Sequence, residues 1–87
     1  NRIRHGRVLN NIGLIHHAAG DWEQALGSFR EALAVREGVG YARGVIVNHH
    51  NIGDVHFQSG DLARAAVAFE RSRELAVEAS WERGVLL

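Results

Sequence analysis

The chain has no cysteine, no proline and no methionine. Without cysteine it can form neither disulfide bonds nor thiolate metal sites. Without proline, nothing in the sequence forces a kink in a long helix. No apolar run approaches the roughly 20 residues that span a bilayer, and the N-terminal residues lack the apolar core of a signal peptide. We therefore expect no membrane partner, and we expect a cytoplasmic location.

The chain also lacks an excess of either charge, since ten basic residues balance ten acidic ones. A general binder of nucleic acid or anionic membranes needs a basic surplus that attracts phosphates, so neither is an expected partner. Hydrophobic residues make up 46% of the 87 residues, which excludes simple disorder. A core of this size is marginal on its own. We expect stacking, oligomerisation or a partner to add stability.

An internal repeat decides the fold. Shifting the sequence by 40 residues aligns residues 11–13 (Asn-Ile-Gly) with residues 51–53. The same shift aligns further identical residues in the same order and without a gap: His16 with His56, 20–21 with 60–61, Ala25 with Ala65, Phe29 with Phe69, and 43–45 with 83–85. A repeat of this length is typical of stacked helical units. We place repeat 1 at about 1–40, repeat 2 at about 41–80 and the start of a third repeat at about 81–87.

Each repeat is predicted to contain two helices. The residues that form one face of the first helix recur three and four positions apart. They are Val8, Leu9, Ile12, Ile15, His16 and Ala19, all apolar except the histidine. Gly20 ends that helix and Asp21 caps the next. The predicted links between repeats are 38–40 and 79–80, and Gly13 is expected to face Ala25. The fold class is all-α, a solenoid of antiparallel helix pairs.

The residues of this repeat resemble the tetratricopeptide repeat. The pattern appears as Leu9-x-x-Ile12-Gly13-x-x-His16 followed by Ala25-x-x-x-Phe29, and it recurs in the second repeat. The period of 40 is longer than the usual period of about 34, the closing proline is absent, and histidine replaces the usual tyrosine. The longer period is similar to that of kinesin light chains and of bacterial signalling ATPases and regulators.

The resemblance implies a non-catalytic scaffold that binds a peptide or protein partner and needs no cofactor. In this family the first helix of each pair lines a concave groove. Its positions fall on residues expected to be exposed, opposite the packing stripe: Arg7, Asn10, Asn11, Leu14 and His17, then Val47, His50, Asn51, Asp54 and Phe57. Arg7, Asn11 and Asn51 also match part of the pattern with which some members clamp a peptide carboxylate. A structural hydrogen bond near the helix crossing is the favoured role for the two asparagines.

Two other functions remain open. The apolar residues 85–87 predict an adhesive end, and hence a homo-oligomerising module. His50 and Asp54 lie four residues apart, so with His17 they could hold zinc. His16, His49 and His56 are instead expected to be buried and neutral, which predicts a loss of stability below about pH 6.5. The serines and glycines lack the context of a nucleophile elbow or a phosphate loop, so no enzyme activity is expected.

Overall fold

The computed structural model describes residues 1–82, with side chains through residue 81. This part of the chain forms four helices: α1 (Arg2–Ala18), α2 (Trp22–Gly38), α3 (Ala42–Ser59) and α4 (Leu62–Glu82). It contains no strand, which confirms the all-α prediction. None of the described helices is both long and apolar enough to cross a membrane.

The turns within the two helix pairs are alike. Gly20 and Gly60 each have a positive φ, 76° and 95°, which a glycine adopts without steric cost. Asp21 and Asp61 follow them and cap the next helix, since each accepts a hydrogen bond through Oδ1 from the backbone N–H three residues on. Glycine ends one helix and aspartate starts the next, as the repeat predicts.

The link between the two pairs lies at 39–41, close to the predicted 38–40. The second predicted link, 79–80, is wrong, because α4 continues through it to Glu82. Residues 38 and 40 are glycines, whereas their counterparts, Glu78 and Ser80, do not favour a helix end. The predicted start of a third repeat therefore begins inside α4, and its residues 83–87 lie outside the described part.

The helices pack in chain order, α1 on α2, α2 on α3 and α3 on α4. The core contains Ala25, Phe29, Ile52, Val55 and Ala68. A Cβ placed on Gly13 would come within 2.5 Å of the Phe29 ring, and one on Gly53 within 2.6 Å of the Phe69 ring. In each helix pair the glycine therefore leaves room for a phenylalanine ring. For Gly13 the nearest side chain across the pair is Phe29, not the predicted Ala25.

The two repeats differ in the burial of their first helices. Ile52 and Val55 on α3 are buried under α2, with exposed fractions of 8% and 0%. Their counterparts on α1, Ile12 and Ile15, are 38% and 68% exposed, and Val8 is also exposed. The prediction that these three residues are packed is wrong. The same stripe is present on both helices, but no described helix lies on the outer side of α1.

Candidate partner-binding site

The first helices of the two pairs, α1 and α3, meet directly through hydrogen bonds between their side chains. We call the surface carried by the ten predicted groove residues the α1–α3 face. Six of these residues are exposed: Arg7, Asn11, Leu14, Val47, His50 and Phe57. Three are partly buried: His17, Asn51 and Asp54. The tenth, Asn10, is buried. The expected exposure is wrong for Asn10, because this residue lies where α1 touches α3.

A chain of hydrogen bonds joins three helices beneath this face. The Nη1 atom of Arg36, on α2, donates to Asn48 Oδ1 at 2.9 Å and to the carbonyl oxygen of Gly44 at 3.3 Å. Asn48 Nδ2 then donates to Asn10 Oδ1 at 3.0 Å, and Asn51 Nδ2 donates to the same oxygen at 3.0 Å. Asn10 thus ties α1 to α3, and Arg36 ties both to α2. We call these four side chains the Arg36 network.

The arginine of this network is a buried cation without a carboxylate partner. Arg36 is 6% exposed, and no acidic side chain within residues 1–81 forms an ion pair with it. Its guanidinium carbon lies 5.7 Å from the centre of the Tyr41 ring, a cation–π distance. Burial lowers the pKa of Arg36, with the nearby Tyr41 opposing this effect. Arginine nevertheless keeps its charge in proteins, so the positive charge stays under the face.

Two glycines make room for this side chain. A Cβ on Gly6 of α1 would lie 3.1 Å from Arg36 Cγ, and one on Gly44 of α3 would lie 2.6 Å from Arg36 Cδ. Arg36 therefore runs through a slot between the two helices. Sequence reasoning missed both Arg36 and Asn48. The available signal was Asn48 itself, a polar residue at the stripe position that Val8 holds in the first repeat.

The other end of the α1–α3 face is apolar. Leu14 is 42% exposed and Phe57 is 59% exposed. Beside them lies a pocket of about 260 Å³, lined by Leu14, His17, Ala18, Gly20, Trp22 and Gln58. The His17 ring stands edge-on to Trp22, with 5.7 Å between ring centres, and its buried Nε2 has no hydrogen-bond partner. This end of the face can accommodate an apolar side chain.

The comparison with protein families agrees with the repeat. A family model described as tetratricopeptide repeat matches residues 5–76, which include most of all four helices. The chain belongs to the tetratricopeptide repeat family. Tetratricopeptide repeats generally mediate contacts between proteins and are typically non-catalytic scaffolds. The searches of curated proteins and of solved structures returned no match.

The α1–α3 face does not bring together the three side chains of the zinc alternative. His50 Nε2 lies 3.5 Å from Asp54 Oδ2, so these two side chains form an ion pair when the histidine is protonated. Within the described residues, however, no three histidine or acidic side chains are grouped as a metal ion would require. His17 instead contacts Trp22. The described residues therefore give no support to the zinc alternative at His17, His50 and Asp54.

The three histidines predicted to be buried differ in the extent of burial. His56 is 6% exposed, as expected, whereas His16 and His49 are only partly buried. The pKa of His49 is lowered, mainly because the side chain is partly buried. The nearby charges have smaller effects on this pKa: Glu37 raises it and Arg71 lowers it. The folded repeat therefore resists protonation of His49 more than the unfolded chain does.

This shift predicts a pH-dependent stability. Above the unfolded value near 6.5, His49 is neutral in both states and contributes no pH dependence. As the pH falls below 6.5, the unfolded chain takes up the proton first, so the free energy of unfolding decreases until the folded pKa is passed. We expect His49→Gln to reduce the loss of stability between about pH 7.5 and pH 5, measured by urea unfolding. His5→Gln, at an exposed position on α1, is the control. An undiminished loss in the His49 variant would contradict this assignment.

Proposed function

We propose that this tetratricopeptide chain is a non-catalytic scaffold that binds an extended segment of a protein partner across the α1–α3 face. The observation that carries the proposal is the exposure of three large apolar side chains among polar ones on this face. Leu14, Val47 and Phe57 are 42%, 41% and 59% exposed. Exposed apolar groups surrounded by polar groups are typical of interaction surfaces.

The dimensions of the face favour a short extended segment. Val47 and Phe57 stand ten positions apart on α3, which corresponds to about 15 Å at the rise of an α-helix. An extended chain covers about 15 Å with four or five residues. The pocket beside Leu14 and Trp22 would receive an apolar side chain at one end of that segment.

The length of the repeat supports a finer assignment within the family. The turn glycines Gly20 and Gly60 are 40 residues apart and have the same conformation. We infer that the chain is of the long-period type that resembles kinesin light chains and bacterial signalling regulators. Recruitment of a partner for an attached effector, in the cytoplasm, is part of this proposal.

The test is a binding measurement on matched variants. The probe is the tightest-binding member of a displayed library of random dodecapeptides. We expect Phe57→Ala and Leu14→Ala each to weaken its binding by at least about tenfold, since anchor residues at an interface contribute about 1.4 kcal/mol or more. Fluorescence anisotropy measures the dissociation constants, and circular dichroism checks that each variant remains folded.

Val67→Ala is the matched control. Val67 lies on α4, away from the α1–α3 face, and is 71% exposed, so its truncation should leave binding within about twofold of the original value. Equal losses in all three variants, or the absence of any binding peptide, would contradict the proposed function.

The exposed stripe of α1 favours a second candidate, self-association. Val8, Ile12 and Ile15 are 50%, 38% and 68% exposed, whereas their counterparts on α3, which are Asn48, Ile52 and Val55, are buried. A second copy could cover the α1 stripe in the same way. Sedimentation equilibrium should then show a mass above the 9.6 kDa monomer that returns to the monomer value in Ile15→Asp. A monomer at every concentration would exclude this candidate. The predicted adhesive end at 85–87 lies outside the described residues.

A further inference from the structure

We propose that a pocket at the end of α2, between α3 and α4, binds the side chain of an arginine on a partner protein. The guanidinium group would pair with Glu37 and Glu78, and its aliphatic stem would lie on the apolar wall of the pocket. We call this site the Glu37–Glu78 pocket. None of the ten residues of the α1–α3 face lines it, so the inference does not depend on the proposed function.

The size of the pocket suits a single side chain. The pocket has a volume of about 250 Å³ and lies where the end of α2 meets the start of α3 and the second half of α4. Pockets that enclose drug-sized ligands have volumes of about 300–1,000 Å³, so this one is smaller. Its apolar wall is formed by Val45, Ile46, Leu75 and Ala79.

The charge of the pocket is negative. Among the described residues, Glu37 and Glu78 are the charged ones that line it, and no described side chain forms an ion pair with either. The charge of Glu37 also raises the pKa of His49, against the larger effect of burial, so it acts across the gap between α2 and α3. Arg43 borders an adjoining pocket and does not line this one. The pocket therefore offers two carboxylates to a cationic ligand.

The first repeat shows which group fills the equivalent space. At the shift of 40 residues, Ala42 and Glu78 correspond to Arg2 and Gly38. A Cβ placed on Gly38 would lie 2.8 Å from Arg2 Nη2. The guanidinium group of Arg2 therefore packs directly on Gly38, between the start of α1 and the end of α2.

The second repeat has the opposite arrangement of side chains. The long cationic side chain of the first helix is replaced by Ala42, which leaves the space open. The glycine of the second helix is replaced by Glu78, which adds a carboxylate where the first repeat has room for a guanidinium group. The second repeat thus lacks the arginine but has a counter-ion for one, and a partner can supply the missing group.

Arginine suits this pocket better than lysine does. A guanidinium group is planar and more weakly hydrated than an ammonium group, so contact with an apolar wall costs it less. It also carries five N–H donors, which can pair with two carboxylates at once. Its aliphatic stem can cover Val45 and Leu75 while the charged end stays near the glutamates.

The first test uses a small probe, Nα-acetyl-arginine methylamide, titrated into ¹⁵N-labelled protein at low ionic strength, where exposed charges are least screened. We expect saturable shifts in the backbone amides of Val45, Ile46, Leu75 and Ala79. The dissociation constant should lie in the millimolar range, because exposed ion pairs contribute little. The uncharged citrulline analogue should bind at least about tenfold more weakly, and the lysine analogue at least about threefold more weakly.

Two variants test the carboxylates. Glu37→Gln and Glu78→Gln each remove one charge and keep the length of the side chain, so each should weaken the binding of the arginine probe by at least about threefold. Glu31→Gln is the matched control, because Glu31 is an exposed glutamate of α2 that does not line the pocket. It should change the dissociation constant by less than about twofold, as a distant charge would.

Ala42→Arg tests the comparison between the repeats. The new arginine should occupy the pocket as Arg2 occupies the equivalent space, so the probe should no longer give saturable shifts at the apolar wall. Ala42→Ser leaves the pocket open and should bind the probe within about twofold of the original value. Ala42 is exposed at the first residue of α3, so we expect both variants to fold, which circular dichroism checks.

Five outcomes would overturn the arginine site. The absence of saturable shifts with the arginine probe would reject it and leave the α1–α3 face unaffected. Equal binding of the citrulline analogue would show an apolar pocket without charge recognition, and equal binding of the lysine analogue would reject the preference for a guanidinium group. Equal losses in Glu31→Gln and Glu78→Gln would show attraction by general charge. A solution mass above 9.6 kDa that returns to the monomer value in Glu78→Gln would assign the pocket to an arginine of a second copy.

Discussion

Phe29→Ala is expected to remove most of the protein's stability. The Phe29 side chain is fully buried, and its ring packs against Gly13 of α1. Truncation of a buried phenylalanine costs about 3–5 kcal/mol, because apolar contacts are lost and a cavity remains. Small domains are stable by about 5–15 kcal/mol in total, and an 87-residue chain falls toward the lower end of that range.

The measurement is urea unfolding followed by circular dichroism, with Phe57→Ala as the matched control. Both variants lose the same atoms, but Phe57 is 59% exposed on the α1–α3 face. We expect the control to change the free energy of unfolding by less than about 1 kcal/mol. Similar losses in the two variants would show that Phe57 is part of the core, and would remove it from the proposed partner-binding surface.

Val55→Asp is the second substitution with a large expected effect. Val55 on α3 has no exposed surface and contacts the core formed by α2, α3 and α4. An aspartate there would bury a charge without a partner, so we expect a loss of more than about 4 kcal/mol in the free energy of unfolding.

The repeat supplies an internal control for this experiment. Ile15 holds the position on α1 that Val55 holds on α3, but it is 68% exposed. Ile15→Asp should therefore change the stability of the monomer by less than about 0.5 kcal/mol. A large loss from both substitutions would mean that the outer side of α1 is covered in solution, for example by a second copy of the chain.

The helix pairs and their turns could be predicted because their determinants are local. Gly20-Asp21 and Gly60-Asp61 specify the end of one helix and the start of the next within two residues. The apolar spacing then specifies a stripe on each helix. The predicted link at 79–80 is wrong for the same local reason. The repeat register places a link there, but the second repeat has no glycines at the positions of Gly38 and Gly40, so the helix continues.

The burial of each stripe and the Arg36 network could not be predicted in this way. Whether Ile15 is covered depends on which helix lies beside α1, and no residue of α1 specifies that. Arg36 and Asn10 are 26 positions apart and meet only through Asn48, on a third helix. The sequence shows which side chains could donate or accept, whereas the stacking of the pairs decides which of them meet. The sequence therefore predicts Asn10 at the surface, although the structure buries it.

Chemical-shift mapping would show directly whether a partner binds across α1 and α3. The selected dodecapeptide would be titrated into ¹⁵N-labelled protein while the backbone and asparagine side-chain amide signals are followed. We expect the largest shifts at Leu14, Asn51 and Phe57 and in the side-chain amide of Asn10. Shifts confined to the exposed stripe of α1 or to the outer surface of α4 would contradict it.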